Sequence, residues 1–434
     1  MGFTVAIVGR TNVGKSTFFN RLTGQRKAII DDMSGVTRDR LYDEVDWQGR
    51  QFNIVDTGGL VPHSEDVFEK GVRDQVQLAL DEADLIIFMV DVTTGITDLD
   101  SQIADMLRKK EHNVLLVVNK VDNFERQTEA AEFYSLGFSQ LFNVSSVSGS
   151  GTGDLLDEIV NRMGEHKDTE EVDIPRIAIV GQPNVGKSSL INTLIGEERN
   201  LVTEVAGTTR DAVHARYNLY NKDFYLIDTA GLRKKRKVHE DIEYYSVIRA
   251  VKAIDEADVS ILMIDATPGL EAQDLSIFSL AQSKKKGIVI AVNKWDVIEK
   301  DSYTWKDYRD DIYERIAPFT DVPVMFISAT QKQRVYQLVE KAIEVYRNRK
   351  RRISTSDLNN VLQKAFEMRQ PPAVKGKSIH VKYANQLPSK TPSFALYCNY
   401  PHLVKKPYKN YIENQLRKQF NFTGVPISLV FKEK

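Results

Sequence analysis

The chain has 434 residues, 42% of them hydrophobic, with 59 Lys+Arg against 60 Asp+Glu. That length suits about three domains with ordinary cores, and the single cysteine, Cys398, excludes an internal disulfide or a cysteine-built zinc site. No signal-peptide pattern and no apolar run of the roughly 18–20 residues needed for a membrane span is evident, so the expectation is a cytoplasmic protein without a membrane partner.

The first predicted elements are a strand at Val5–Val8, a glycine-bearing loop and a helix over Thr17–Leu22. The loop reads Gly9-Arg10-Thr11-Asn12-Val13-Gly14-Lys15-Ser16 and continues into Thr17. It fits G-x-x-x-x-G-K-[ST]: glycines let backbone N–H groups close around phosphate oxygens, the lysine adds a point charge, and the serine can hold Mg²⁺. Apolar runs follow at Phe52–Val55, Leu85–Val90, Val114–Val118 and Leu141–Val144, separated by charged stretches of helical length. Residues 1–163 are read as one domain and the acid-rich 164–175 as a linker.

The phosphate-binding pattern then recurs. Ile177–Val180 leads into Gly181-Gln182-Pro183-Asn184-Val185-Gly186-Lys187-Ser188 and on to Ser189, with further apolar runs at Phe224–Ile227, Val259–Ile264, Ile288–Val292 and Val324–Ile327. The offset is 172 residues at Gly9/Gly181, Thr37/Thr209 and Asp56/Asp228, 174 at Asn119/Asn293 and 183 at Ser145/Ser328. The last insertion contains Trp305 and reads as helical. Residues 176–346 are therefore a second copy of a whole domain. Alternating strands and helices predict an α/β class: two tandem P-loop domains with doubly wound, mostly parallel sheets and ligands at the strands' carboxyl ends.

Residues 347–434 hold 18 Lys+Arg and 4 Asp+Glu, a net +14, which leaves −15 for the rest. A basic tail on an acidic body suits a polyanion, most often nucleic acid, or else docking of the tail on the body. The tail is predicted as helix (356–369, Ser356 as N-cap), strand (379–383), strand (394–398), helix (408–420) and strand (427–431), a compact α+β module.

Downstream motifs choose the base. Asn119-Lys120-Val121-Asp122 and Asn293-Lys294-Trp295-Asp296 each follow an apolar run. An aspartate there can accept from guanine N1–H and N2–H₂ together, whereas adenine offers no matching donor pair and would leave the carboxylate unpaired. Ser145-Ser146 and Ser328-Ala329 can present a backbone N–H to guanine O6. Asp56-Thr57-Gly58-Gly59 and Asp228-Thr229-Ala230-Gly231 supply a Mg²⁺ aspartate and a γ-phosphate-sensing glycine, and Thr37 and Thr209 add a hydroxyl to Mg²⁺ when GTP is bound. Five motifs in order, twice, predict two guanine-nucleotide switches that release their loops when the γ-phosphate is lost.

In these motifs and in its tandem layout the whole chain resembles the bacterial EngA family of tandem GTPases, also called Der. The resemblance implies a KH-like C-terminal domain, GTP hydrolysis to GDP and phosphate, and a role in maturation of the large ribosomal subunit through its rRNA. DNA is not an expected partner and the protein is expected to be a monomer. The chain departs from the family pattern at Ser34, where proline is usual, at Ser146, where alanine is usual, and at Lys332, where glycine is usual. The tail also has only Gly376 and Gly424, hence no G-x-x-G clamp.

Leu60 and Leu232 occupy the position after D-x-x-G where Ras-type GTPases place a water-orienting glutamine. Asn12 and Asn184 are the candidates for compensation: in related GTPases this asparagine helps hold a K⁺ ion beside the phosphates, whereas the plainer role is to brace the loop. Lys15, Asn12 and Thr37, with Lys187, Asn184 and Thr209, are the expected catalytic groups. Two other function classes compete. A tRNA-modification GTPase would have one such domain and a C-terminal cysteine motif, and a non-enzymatic GTP-stabilised RNA scaffold would not need complete switch ligands in both copies.

Overall fold

The computed structural model describes residues 3–24, 42–57, 76–77, 79–80, 83–108, 113–163, 174–195, 215–219, 222–227, 247–299, 301, 303–374 and 376–433. The chain divides into two compact units, Met1–Val172 with Tyr244–Asp255, and Asp173–Glu243 with Glu256–Lys434.

In the first unit six strands, β1 (Thr4–Val8), β2 (Tyr42–Trp47), β3 (Arg50–Asp56), β4 (Leu85–Asp91), β5 (Val114–Asn119) and β6 (Leu141–Asn143), form one sheet in the order β2-β3-β1-β4-β5-β6. Only the β2–β3 pair is antiparallel. Every residue of β4 is buried, as expected of a parallel strand covered on both faces. Helices α1 (Lys15–Gly24), α2 (Asp98–Arg108), α3 (Phe124–Glu129) and α4 (Thr152–Arg162) connect the strands. The core joins Ile7, Phe18, Ile87 and Val117 to Leu155 and Ile159 of α4.

The second unit repeats the plan with β7 (Arg176–Val180), β8 (Ala215–Leu219), β9 (Lys222–Ile227), β10 (Val259–Asp265), β11 (Gly287–Asn293) and β12 (Val324–Phe326), ordered β12-β11-β10-β7-β9-β8. Helices α5 (Lys187–Ile195), α6 (Val247–Glu256), α7 (Ala272–Ser283), α8 (Thr304–Ile316) and α9 (Val335–Lys350) follow in chain order, with α6 up to Asp255 falling within the bounds of the first unit. The inserted segment with Trp305 is indeed helical, as α8. The edge strands β2 and β8 went unread in the sequence. In β2 only Val45 is buried, so a short polar ribbon gave no apolar run to find.

The tail follows the predicted order: α10 (Thr355–Met368), β13 (Val381–Gln386), β14 (Ser393–Cys398), α11 (Lys406–Gln419) and β15 (Ser428–Glu433). One face of its sheet packs against α10 and α11 through Leu358, Leu362, Phe394, Leu396 and Ile412, with Cys398 buried among them. One detail is corrected: the N-cap of α10 is Ser354, not Ser356. Ser354 keeps extended dihedrals, its Oγ accepts from Asp357 N at 3.0 Å, and Ser356 is already helical.

Within the second unit the tail is keyed into the GTPase-type sheet. Gly424 N donates to Asp321 O and Ile288 N to Gly424 O, both at 2.7 Å, while Val425 joins the core beside Val345. Arg417 pairs with Asp321 at 3.0 Å, donates to Val425 O at 2.9 Å and lies over the Phe319 ring. Asn348, in the last turn of α9, donates to Thr423 O at 3.1 Å.

Candidate nucleotide sites

Each phosphate loop links the end of an inner strand to a helix start, β1 to α1 and β7 to α5. The helix N-termini therefore direct their first N–H groups at the loop, the arrangement an anion needs. Lys15 Nζ donates to Gly9 O at 2.8 Å and Arg10 O at 2.7 Å, and Lys187 Nζ reaches Gly181 O and Gln182 O in the same way. Burial pushes the Lys15 ammonium below its ordinary pKa, against the pull of Asp56, and Arg10 adds to the lowering. An anion arriving there meets a lysine whose charge is poorly solvated. Val13 and Val185 anchor the loops in the two cores. Thr11, Asn12, Thr17 and Asn184 are exposed, while Pro183 and Ser189 are half-buried. Asn12 and Asn184 share a left-handed backbone, φ 63° and 61°, which asparagine tolerates better than most residues.

The loops differ at their second residue. Arg10 pairs with the buried Asp100 at 3.2 Å. Its counterpart Gln182 donates to Glu271 and Asp274, each at 2.9 Å. Burial raises the Asp274 pKa, opposed by hydrogen bonds from Glu271 N and Gln182 and assisted by the Glu271 charge.

Ser16 Oγ donates to Asp56 Oδ2 at 2.6 Å, and Asp56 is 3% exposed. A hydroxyl oxygen and a buried carboxylate side by side, next to the phosphate lysine, are a hard-oxygen donor set that fits Mg²⁺. Thr57 is fully buried, with its hydroxyl donating to Ile7 O at 2.8 Å. In the second copy Ser188 opens α5 in the equivalent place. Asp228, the carboxylate expected beside it, together with Thr229, Ala230, Gly231, Leu232, Gly58, Gly59, Leu60, Thr37, Thr209 and Ser34, lies outside the described residues.

The base-side motifs close each site. Asn119 Nδ2 donates to Val13 O at 2.7 Å, and its Oδ1 accepts from Ser146 N at 2.9 Å and Ser146 Oγ at 2.8 Å. Asn293 likewise joins Val185 O to Ala329 N, at 2.7 and 2.9 Å. These asparagines are struts tying the phosphate loop to the base loop. A Cβ on Gly14 or Gly186 would overlap the strut's Nδ2, which is why glycine stands at both positions. Ser145, Ser146, Ser328 and Ala329 are all buried.

Lys120 pairs with Asp91 at 2.6 Å, and Lys294 with Asp265 at 2.5 Å. Burial alone would raise the pKa of both aspartates, but the lysine and Thr93 or Thr267 hydrogen bonds outweigh it and hold both below the ordinary range. Asp91 and Asp265 went unread in the sequence. The signal was their place at the end of the third apolar run, 174 residues apart like Asn119 and Asn293. Val121 and Trp295 are buried, the latter against Phe326 and against Tyr308 of α8.

The two aspartates expected to read the base sit differently. Asp122 accepts from Arg126 at 2.7 Å and its side chain is half exposed. Asp296 accepts from Gln331 at 3.2 Å through Oδ2, while its Oδ1 is buried without a hydrogen-bond partner among the described residues. A buried carboxylate oxygen with no donor is costly unless a ligand supplies one. The base loops differ as well. Gly149 and Gly151 take φ 88° and 72°, whereas their counterparts Lys332 and Arg334 take φ 56° and 58°.

Residues 4–120 and 176–294 each match a family described as "50S ribosome-binding GTPase", and 352–432 match the "KH-domain-like of EngA bacterial GTPase enzymes, C-terminal". The chain is 53% identical over 432 residues to "GTPase Der" of Flavobacterium johnsoniae, covering 99% of both chains. It is 52% identical to proteins of the same name from Christiangramia forsetii and Bacteroides fragilis, over the full length of each. The chain belongs to the Der family of GTPases. As a Der-family GTPase it is a GTP-binding switch. The basic tail of this Der chain is its KH-like domain.

Proposed function

We propose that the chain hydrolyses GTP at two sites and acts as a switch in assembly of the large ribosomal subunit. Its domains are 1–163, 176–346 and 347–434, with 164–175 as a linker. The observation carrying the two-site reading is that both copies fold the same lysine, strut asparagine and paired Lys–Asp around a loop opening on a helix N-terminus. The family description and the net +14 tail support large-subunit rRNA as the partner, engaged by a cytoplasmic monomer. No helix among the described residues is long and apolar enough to cross a membrane.

The residues divide the work. Lys15 and Lys187 leave their loop carbonyls for the β- and γ-phosphates. The loop N–H groups orient the triphosphate, and Asp122 and Asp296 take the guanine edge. Ser16 with Asp56, and Ser188 with Asp228, hold Mg²⁺, which supplies charge neutralisation at the phosphates when bound. Thr37 and Thr209 complete that shell in the GTP state. Asn12 and Asn184 help seat K⁺ in place of a water-positioning glutamine, which predicts faster turnover in KCl than in NaCl at equal ionic strength. Equal rates would remove the ion role.

Co-sedimentation with ribosomal subunits under GDP and under a non-hydrolysable GTP analogue tests the whole reading. Association with the large subunit is expected in the GTP-like state alone, and it should be lost in Lys15→Ala and Lys187→Ala. Binding indifferent to nucleotide would refute the switch.

A further inference from the structure

The sheet of the tail has two faces, and only one is covered by α10 and α11. On the other, β13–β14–β15 register places Tyr383 beside Tyr397 and Tyr397 beside Lys432, with Asn385, Ala395 and Val430 in the next row. The two tyrosine rings stack with centroids 4.4 Å apart and planes 15° from parallel. Tyr383 and Val430 are each 40% exposed, and Lys432 is exposed. None of these six residues is acidic, and the tail around them carries 18 basic against 4 acidic side chains.

We propose that this face is a stacking platform for unpaired bases of single-stranded RNA. The proposal rests on the reading of the tail as RNA-facing and says which surface does the reading and which form of RNA it takes. A cross-strand aromatic pair can serve the sheet alone. Here, however, the column ends at a ring 40% exposed, on a face with a lysine on its far side, in a strongly basic module. A base extends such a column, because every base has a π-face, while the ammonium meets the adjoining phosphate. The absence of a G-x-x-G clamp removes the alternative way of gripping a single strand in this module.

The test uses the full chain with a 10-nucleotide single-stranded RNA carrying 2-aminopurine, a matched RNA duplex, and large ribosomal subunits. Tyr383→Leu and Tyr397→Leu should weaken single-strand binding about 5- to 150-fold and abolish 2-aminopurine quenching. Duplex binding, GTPase rate and melting temperature should stay at wild-type values. Tyr383→Phe, which keeps the stack, should bind as wild type. If the leucine variants bind the single strand normally while wild type binds RNA and subunits, the platform is wrong and the basic-surface reading stands. If wild type binds neither RNA nor subunits, both are wrong. Should leucine lower the melting temperature, loss of quenching in Tyr383→Phe or unchanged quenching in a folded Tyr383→Ser would likewise overturn the platform.

Discussion

Replacing Lys332 and Arg334 by glycine should tighten the second base loop. Both residues hold left-handed backbone, φ 56° and 58°, at positions where the first copy has Gly149 and Gly151. A side chain there costs about 1–2 kcal/mol per residue from Cβ–carbonyl crowding. Glycine gives back about 0.4–1 kcal/mol through its freer unfolded chain. Arg334 Nη1 lies 3.5 Å from Phe326 O, too far for its removal to weigh in the balance. The net gain is about 0.5–1 kcal/mol per site, or about 1–2 kcal/mol for the double variant, a 5- to 30-fold drop in local opening. Amide exchange at Gln333, which donates to Ser328 O at 2.9 Å, and at Ala329, which donates to Asn293, reads that opening directly. Exchange as fast as wild type or faster in Lys332→Gly/Arg334→Gly would refute the strain argument. The converse change Gly151→Ala should be severe, because its Cβ would overlap Asn143 O.

Asn119→Ala unties three buried hydrogen bonds at about 1 kcal/mol or more each, so fluorescent-GDP affinity at the first site should fall about 100-fold. Ser146→Ala removes only the hydroxyl bond and should cost about 1 kcal/mol; a loss as large as that of Asn119→Ala would show that the strut is not the cause. Asp274 has a folded pKa above its unfolded value, so its contribution to stability is full below the unfolded pKa and is lost as pH rises through the folded one. Asp274→Asn should therefore raise the melting temperature of the second unit at pH 7, with the difference closing at about pH 4; a larger benefit at the lower pH would contradict the sign. Arg417→Ala strips Asp321 and Glu413 of their partner and Val425 O of a donor, which should cost about 2–4 kcal/mol and make the tail cleavable by protease at concentrations that spare wild type.

What could be read from the sequence was what repeats or what is apolar. Strands such as Leu85–Val90 declare themselves because parallel strands are buried on both faces, and each phosphate loop and base motif occupies one contiguous stretch. The edge ribbon at Tyr42–Trp47 escapes because its pairing with Arg50–Asp56 is made by backbone, while half of its residues are acidic or exposed. The partners Asp91 and Asp265 escape because an ion pair across 29 residues leaves no local pattern. Asn119 was found as part of a guanine motif, but that it braces the phosphate loop depends on how β5 is aligned across β4 from β1, which only the sheet supplies. Reading Ser356 as the N-cap failed for a similar reason: Ser354 also lies close before Asp357, and only the backbone dihedrals distinguish the two.

The loop of the tail that keys into the second sheet makes the two copies non-interchangeable. Val345 lies buried against Gly424 and Val425, whereas the same position of the first copy is Arg162, paired with Glu158. A chimera that swapped the GTPase domains would press a guanidinium into the socket that holds the tail. It would also leave Ile288 N without its acceptor. The two copies thus divide their labour within a single helix turn: one carries a charged flank, and the other a flank that mounts the tail.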